Sequence, residues 1–460
     1  MTDIEHFEAV RDEWGDFLPD FVGSVRDALA RDDIKTTRTK VRDLHAADLA
    51  DLITFLEQSD RVRLIAALGK AFDVEALAEL DANVRDALVE ALPPEVIASA
   101  IKKLDTDDAV YLIEELDRDE RAEILSKVSK QERVALSRAL DYADGTAGRL
   151  MQTEYVAVPQ DWTVANVIEH MRTSRGLPDS FVEFYVVDQG NHLTGAVPLS
   201  RLLRSASAKK IASIMDEEQT VFRVNDDQHD VAYKFEQYNL VSAAVTDENG
   251  RLVGMLMVDD ILDVIQESAS EDILHLGGVG AEDNVADSVW ETTRSRFMWL
   301  FVNLLTAIAA SWVISWFDAT LEQMVALAIL MPIVASMGGN AGTQTMTVAV
   351  RALATHQLGP VNAVKVALRE CSVGLINGVV FAVFMGLFAW GWFGSEGLGL
   401  VIAAAMVVNL LAAALAGILV PLTLDHFEID PAIASGAFVT TVTDVVGFFA
   451  FLGLAAMWLV

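Results

Sequence analysis

Pro431–Val460 reads PAIASGAFVTTVTDVVGFFAFLGLAAMWLV, an apolar run whose one charged residue is Asp444. A membrane-spanning helix needs about 20 predominantly apolar residues. A carboxylate inside one is costly unless it faces a partner or a wet cavity. Thr440, Thr441, Thr443 and Gly447 surround Asp444 with a hydroxylated, close-packing face that is able to line water. Asp444 is thus a candidate functional residue; the alternative is a helix-packing carboxyl that stays protonated or bonds a neighbouring hydroxyl.

Four more stretches of spanning length precede it, Phe297–Phe317, Gln323–Val350, Cys371–Ser395 and Gly397–Leu424, none with Asp, Glu, Lys or Arg. Beyond Phe297 the basic residues are Arg351, Lys365 and Arg369, expected in the loop between the second and third spans, while Arg294 and Arg296 precede the first. Positive charge stays on the cytoplasmic side, so the N-terminal portion is expected inside and the C-terminus outside, in the cell membrane. Five spans agree, since an odd number separates the termini.

The 460 residues combine a positive mean hydropathy with 22% charged residues because two regimes are averaged. Residues 294–460 hold 8 acidic and 5 basic residues, whereas residues 1–293 hold 59 and 29. So acidic a surface repels nucleic acid, and with 23 Arg against 11 Lys it suggests a halophile-like, salt-adapted protein. The lone Cys371 excludes an intrachain disulfide and fits a cytosolic soluble portion. Met1–Val10 is polar and acidic, which predicts no cleavable signal peptide.

Residues 1–150 show apolar residues at helical spacing and an echo at an offset of 60: Asp48, Leu52, Ile53, Leu56, Arg61 and Leu64 return as Asp108, Leu112, Ile113, Leu116, Arg121 and Ile124. Stacked helix pairs in a small all-α solenoid explain this, and Pro93-Pro94 marks a helix start. From Tyr155 short β-branched runs alternate with helices, again in duplicate. Val187–Gly195 and Thr246–Gly254 each read as strand, Asp/Gly/Asn turn and strand, followed by a helix. After the second copy, a helix from Val258 to about Glu267 leads into a carboxylate-rich linker.

In the second span, Pro332 and then Gly338-Gly339-Asn340-Ala341-Gly342-Thr343-Gln344 are expected to break the helix with glycine and amides, which is tolerated where backbone lines a cavity. Gly338 and Gly342 equally fit a small-xxx-small packing motif. With no Lys or Arg inside the spans and one carboxylate, a pore here favours cations. A two-fold homodimer would set two Asp444 side chains about one axis. A wide oxygen-lined site suits hydrated Mg²⁺, which sheds water reluctantly.

These residues resemble the MgtE family of magnesium channels. The most specific stretches are Pro332–Gln344, Arg351-Ala352-Leu353-Ala354-Thr355, and Asp430-Pro431-Ala432 followed by Thr443-Asp444-Val445-Val446-Gly447, with Thr146–Met151 and Val258–Asp263 similarly placed in the cytosolic part. The resemblance implies a multidomain membrane protein: a helical N domain over 1–150, an α+β tandem CBS pair over 151–265 (151–213 and 214–265), a connecting plug helix over 266–293 and a five-helix transmembrane domain over 294–460. It implies a homodimer in the lipid bilayer, permeable to Mg²⁺ and closed when cytosolic Mg²⁺ binds between the soluble domains. Asp444 is the implied pore carboxylate and Asn340 its second-span partner, with Gly338, Gly339, Gln344, Ser435, Gly436, Thr440 and Thr443 lining the pore. The family often has Asn-Pro where this chain has Gly436-Ala437, which removes one polar pore position.

For the cytosolic sensor the implied ligands are Glu75, Asp107, Asp227, Asp260, Asp263 and Glu271, while Tyr111, His229, Asn239 and Ser268 stand where carboxylates are expected. CBS pairs often bind adenine nucleotides through a Ser/Thr and, three residues on, an Asp. Here those positions are Pro198 and Arg201, then Met257 and Asp260, so weak ATP binding or none is expected. The histidines lack zinc spacing. No enzyme is expected: an aspartyl hydrolase needs a second membrane aspartate, and a serine or cysteine hydrolase needs a histidine in the spans. The remaining rival is an ion-coupled carrier or exporter of Mg²⁺, Co²⁺ or Mn²⁺ with the same architecture.

Overall fold

The computed structural model describes residues 10–459 apart from 13, 14, 16, 175, 179, 281, 282, 284–288 and 428. It divides into two compact units, Met1–Gln266 and Glu267–Val460.

The first unit begins with helices α1 (Pro19–Ala30), α2 (Ile34–Val41), α3 (Ala46–Thr54), α4 (Gln58–Leu68), α5 (Ala82–Ala91), α6 (Pro94–Ile101), α7 (Thr106–Ile113), α8 (Arg118–Lys127), α9 (Lys130–Leu140) and α10 (Ala147–Leu150). The repeat is real: α3 and α4 correspond to α7 and α8, and Leu52, Ile53, Leu56 and Leu64 are buried as are Leu112, Ile113, Leu116 and Ile124. The repeated arginine has a physical reason. Arg61 donates to the Ile53 and Thr54 carbonyls at 2.9 and 3.1 Å, and Arg121 to those of Glu114 and Leu116. Each satisfies acceptors that the end of the preceding helix leaves without an intrahelical donor.

The CBS-like part carries β1 (Ala157–Pro159), α11 (Val164–Thr173), β2 (Glu183–Val187), β3 (Leu193–Pro198), α12 (Leu199–Leu203), β4 (Val221–Arg223), α13 (Gln228–Tyr238), β5 (Ser242–Thr246), β6 (Leu252–Met257) and α14 (Val258–Leu276). Strand orders β1-β2-β3 and β4-β5-β6 share one pattern, parallel then antiparallel. The hairpin turns place Asn191 and Gly250 at positive φ, 63° and 78°. Asp188 and Asp247 brace them by accepting backbone N–H bonds, from Gly190 and His192 and from Asn249 and Arg251 respectively. The two hairpins join where Leu193 N donates to Gly250 O and Leu252 N to Asn191 O.

No separate helix starts at residue 266. The helix begun at Val258 continues unbroken to Leu276 because no Gly or Pro interrupts it, and it stops at Gly277-Gly278, the latter at φ 71°. The rest of the expected plug segment lies partly outside the described residues, and its last part belongs to the first membrane helix.

The second unit contains α15 (Val289–Ser315), α16 (Asp318–Gln323), α17 (Ala326–Ala354), α18 (Ala363–Phe393), α19 (Glu396–His426) and α20 (Pro431–Trp458). Five of these are long and apolar enough to cross a membrane: α15, α17, α18, α19 and α20. The central one is α19, with 56% of its most apolar window buried against 11% for α15. Lys365 and Arg369 lie in the opening turns of α18 and Arg351 in the last turn of α17, not in the loop. The helices outrun their apolar stretches, so long cationic side chains are able to reach the interface from helix ends.

Close approach is bought by small residues. A Cβ at Gly374 would lie 2.9 Å from the Leu410 carbonyl, and one at Gly417 would lie 2.7 Å from Thr345 Cβ. The Gly338–Gln344 motif does not break its helix: α17 is continuous across it. Its glycines instead admit neighbours, since a Cβ at Gly342 would meet Val439 Cγ1 at 2.6 Å.

Candidate ion pathway and acidic cluster

On α20 the hydroxyls near Asp444 bond backward along their own helix. Thr440 donates to the Gly436 and Ala437 carbonyls, Thr441 to Ala437, Thr443 to Thr440 at 2.9 Å, and Ser435 to Pro431. Each hydroxyl donor is thereby used within the helix, so that at the half-buried Thr440 and Thr441 the remaining chemistry is oxygen lone pairs. Asp444, Gly436 and Thr440 are half-buried within one chain, and no Cβ-range neighbour approaches Gly436. On α17, Asn340 and Gln344 are exposed and Gly339 is half-buried. The two helices meet where Gly342 faces Val439 and Thr443, two residues along from Asn340 and one from Asp444.

Three expected lining residues are differently placed. Ser435 and Thr443 are fully buried, and Gly338 faces α19. Their spacing puts them on the packing side of their helices, so they shape the helix contact rather than an open surface. The composition gave no hint of Asn409, a fully buried amide on α19 that touches both helices.

The second constellation lies in the first unit. Glu75, Asp107, Asp260 and Asp263 lie with Glu79, Asp105, Asp108 and Asp259 close enough for their charges to raise one another's carboxyls. Burial, then the charges of Asp260 and Asp108, push the Asp107 carboxyl well above its ordinary range. Burial pushes Asp108 up to about 7, helped by Asp105, Glu79, Glu75 and Asp259. Asp260 is also pushed up to about 7, by burial and then by Asp259. Carboxyls so crowded hold protons or welcome a cation. Asp260 Oδ2 accepts from Gln152 Nε2 at 3.3 Å and from Met257 N at 3.4 Å. Among the described residues, no three His, Cys, Asp or Glu side chains converge as a preformed metal cage.

Asp227 instead caps α13, its Oδ1 accepting from His229 N at 2.8 Å. Glu271 lies on α14 beyond the first unit, as does Ser268. Two of the unexpectedly neutral positions have local reasons. Tyr111 lies under the Arg85 guanidinium, whose Cζ is 3.4 Å from the ring centroid. Asn239 ends α13 in the left-handed region, where Asn is favoured over most side chains.

The profile of the MgtE divalent cation transporter family matches residues 331–454, that of the MgtE intracellular N domain 44–145, and that of the CBS domain 147–208 and 211–267. The chain is 31% identical over 444 residues to the magnesium transporter MgtE of Thermus thermophilus, covering 95% of this chain and 98% of that one.

The chain belongs to the MgtE family.

The MgtE of Enterococcus faecalis is 33% identical over 324 residues, 70% of this chain and 71% of its own. The cytosolic domain of the Mg²⁺ channel MgtE, solved in complex with ATP, is 28% identical, with a TM-score of 0.50, over 53% of this chain and 99% of that one. MgtE proteins are magnesium transporters rather than an enzyme class. This member thus combines the MgtE N domain, the CBS pair and five apolar helices of membrane-spanning length.

Proposed function

We propose that the protein is a Mg²⁺-selective channel, a homodimer with its soluble portion in the cytoplasm and its C-terminus outside. The observation that carries this reading is Asp444, half-buried in mid-helix next to half-buried threonines, on a helix packed against α17 with its exposed Asn340 and Gln344. One carboxylate per chain is a thin ligand set, and a two-fold axis would double it. Oxygen-only chemistry on a surface open within one chain suits a hydrated hard cation. Arg294, Arg296, Arg351, Lys365 and Arg369 on one side of the spans support the orientation.

The acidic cluster supports regulation by cytosolic Mg²⁺. Asp107, Asp108 and Asp260 repel one another at low divalent concentration, and a bound Mg²⁺ would neutralise them and favour the compact arrangement. Asp107, Asp260 and their neighbours fit a hard cation by donor type, all oxygen and anionic. ATP is expected to bind weakly or not at all, since Arg201 replaces one ribose aspartate and Asp260 is engaged with Gln152.

The test is Mg²⁺ flux into proteoliposomes for wild type and Asp444→Ala, at low and high Mg²⁺ on the soluble-domain side. Flux lost in the variant and reduced in wild type by high Mg²⁺ is the expected result. Unchanged flux in Asp444→Ala would place the ion site elsewhere. Flux that appears only with a second ion gradient would identify a coupled carrier.

A further inference from the structure

Asn409 stands near the middle of α19, fully buried, and its Nδ2 donates to the Val334 carbonyl of α17 at 2.7 Å. In a helix that carbonyl is also the acceptor for Gly338 N, so the amide adds a second donor to an oxygen with two lone pairs. The bond settles the orientation of the amide, because turning it over would set Oδ1 against the Val334 oxygen. Oδ1 accepts no hydrogen bond from any described residue.

Two glycines make the space. A Cβ at Gly338 of α17 would lie 2.3 Å from Nδ2, and one at Gly447 of α20 would lie 2.8 Å from the same atom. Both helices therefore rest on this one amide. Gly447 is less than one turn from Asp444, and Gly338 is two residues from Asn340. An apolar side chain of similar volume would fill the gap without leaving a buried acceptor unpaired, which costs free energy. The amide does what such a residue does not: it ties α19 to the α17 backbone at one height while spacing α20.

We propose that Asn409 is a positioning residue for permeation, a buried amide wedge that sets the separation of α17 and α20 at the depth of Asp444 and thereby the size of hydrated cation the site accepts. The inference rests on the reading of these two helices as the pathway.

The test measures Mg²⁺ flux, half-saturating Mg²⁺ and discrimination against Ca²⁺ in proteoliposomes. Asn409→Leu keeps the branched outline and loses the bond; Asn409→Ala loses both. Each is expected to insert normally and to shift half-saturation or discrimination by about tenfold or more. Gly338→Ala alone should impair flux by about tenfold, since its Cβ collides with the amide, yet have little effect in the Asn409→Ala background. Inserted variants with unchanged half-saturation and discrimination overturn the proposal, as does simple additivity of Gly338→Ala and Asn409→Ala. Should Asn409→Ala fail to insert, Asn409→Ser keeps a donor near Val334: an intermediate loss of discrimination upholds the role, and no loss overturns it. Asp444→Ala in the same vesicles separates the two ideas. If it leaves flux intact, the pathway reading falls; if it abolishes flux while the Asn409 variants are silent, only the wedge falls.

Discussion

Glu154 shows how much one side chain organises around the acidic cluster. Its Oε2 accepts from the N–H groups of Thr106 and Thr153 at 3.2 and 3.0 Å, and its Oε1 from their hydroxyls at 2.8 and 3.2 Å. It thus serves the start of α7, which carries Asp107 and Asp108. Glu154→Ala is expected to cost about 1–3 kcal/mol by leaving the Thr106 and Thr153 N–H groups unpaired, while the two hydroxyls keep each other at 2.6 Å; chemical denaturation of the purified protein measures it, and a loss below the error of the extrapolation would show that water replaces the carboxylate. Asp260 makes a second residue-scale prediction. Held by Gln152 and the Met257 N–H and crowded by Asp107, it is poorly placed to grip a ribose. Calorimetric titration with ATP should give a Kd above about 1 mM, and micromolar binding would refute the assignment. Asp107 and Asp260 were legible from the resemblance, whereas Asp108 and Glu79 were not, because in so acidic a chain nothing local separates a buried aspartate from a solvated one.

Among the elements, α17 departs most from its local signals. Three glycines and a proline weaken a helix in isolation, yet α17 runs unbroken with α19 and α20 pressed into the gaps left by Gly338 and Gly342. The same packing makes Gly417 intolerant: its Cβ would stand 2.8 Å from the Gly342 carbonyl. Gly417→Val is therefore expected to destabilise the membrane unit by about 2 kcal/mol or more, read as a lowered melting temperature in detergent. An unchanged melting temperature would mean that α17 and α19 separate readily. The hairpins behave oppositely. Asp188 and Asp247 brace their turns through neighbours four residues apart or fewer, so the sequence pattern alone located them.

Across the whole molecule, charge makes the pH dependence unusual. Carboxyls whose folded values rise from the ordinary 3.8 to about 7, as at Asp108 and Asp260, leave the folded state holding more protons than the unfolded one between these limits. Stability then falls as pH rises through that window, opposite to the behaviour of a salt-bridged aspartate. Without divalent cations the protein should melt at lower temperature at pH 8 than at pH 6, and millimolar Mg²⁺ should restore most of the loss at pH 8 while doing little at pH 5. A Mg²⁺ effect independent of pH would sever the link between these carboxyls and the cation. High salt should weaken the effect by screening.

Chain order alone was enough for the five apolar runs, the helical repeat with its paired arginines, the duplicated hairpins and the isolation of Asp444. Each depends on periodicity, run length or turn chemistry confined to neighbouring residues. Packing was needed to separate Asn340 and Gln344, which reach the surface, from Ser435 and Thr443, which do not, and to bring Asp107 of α7 against Asp260 of α14. It was needed above all for Asn409, which composition leaves inconspicuous. Burial and repulsion are properties of distance through space, and the residues that create them here come from helices far apart in the chain.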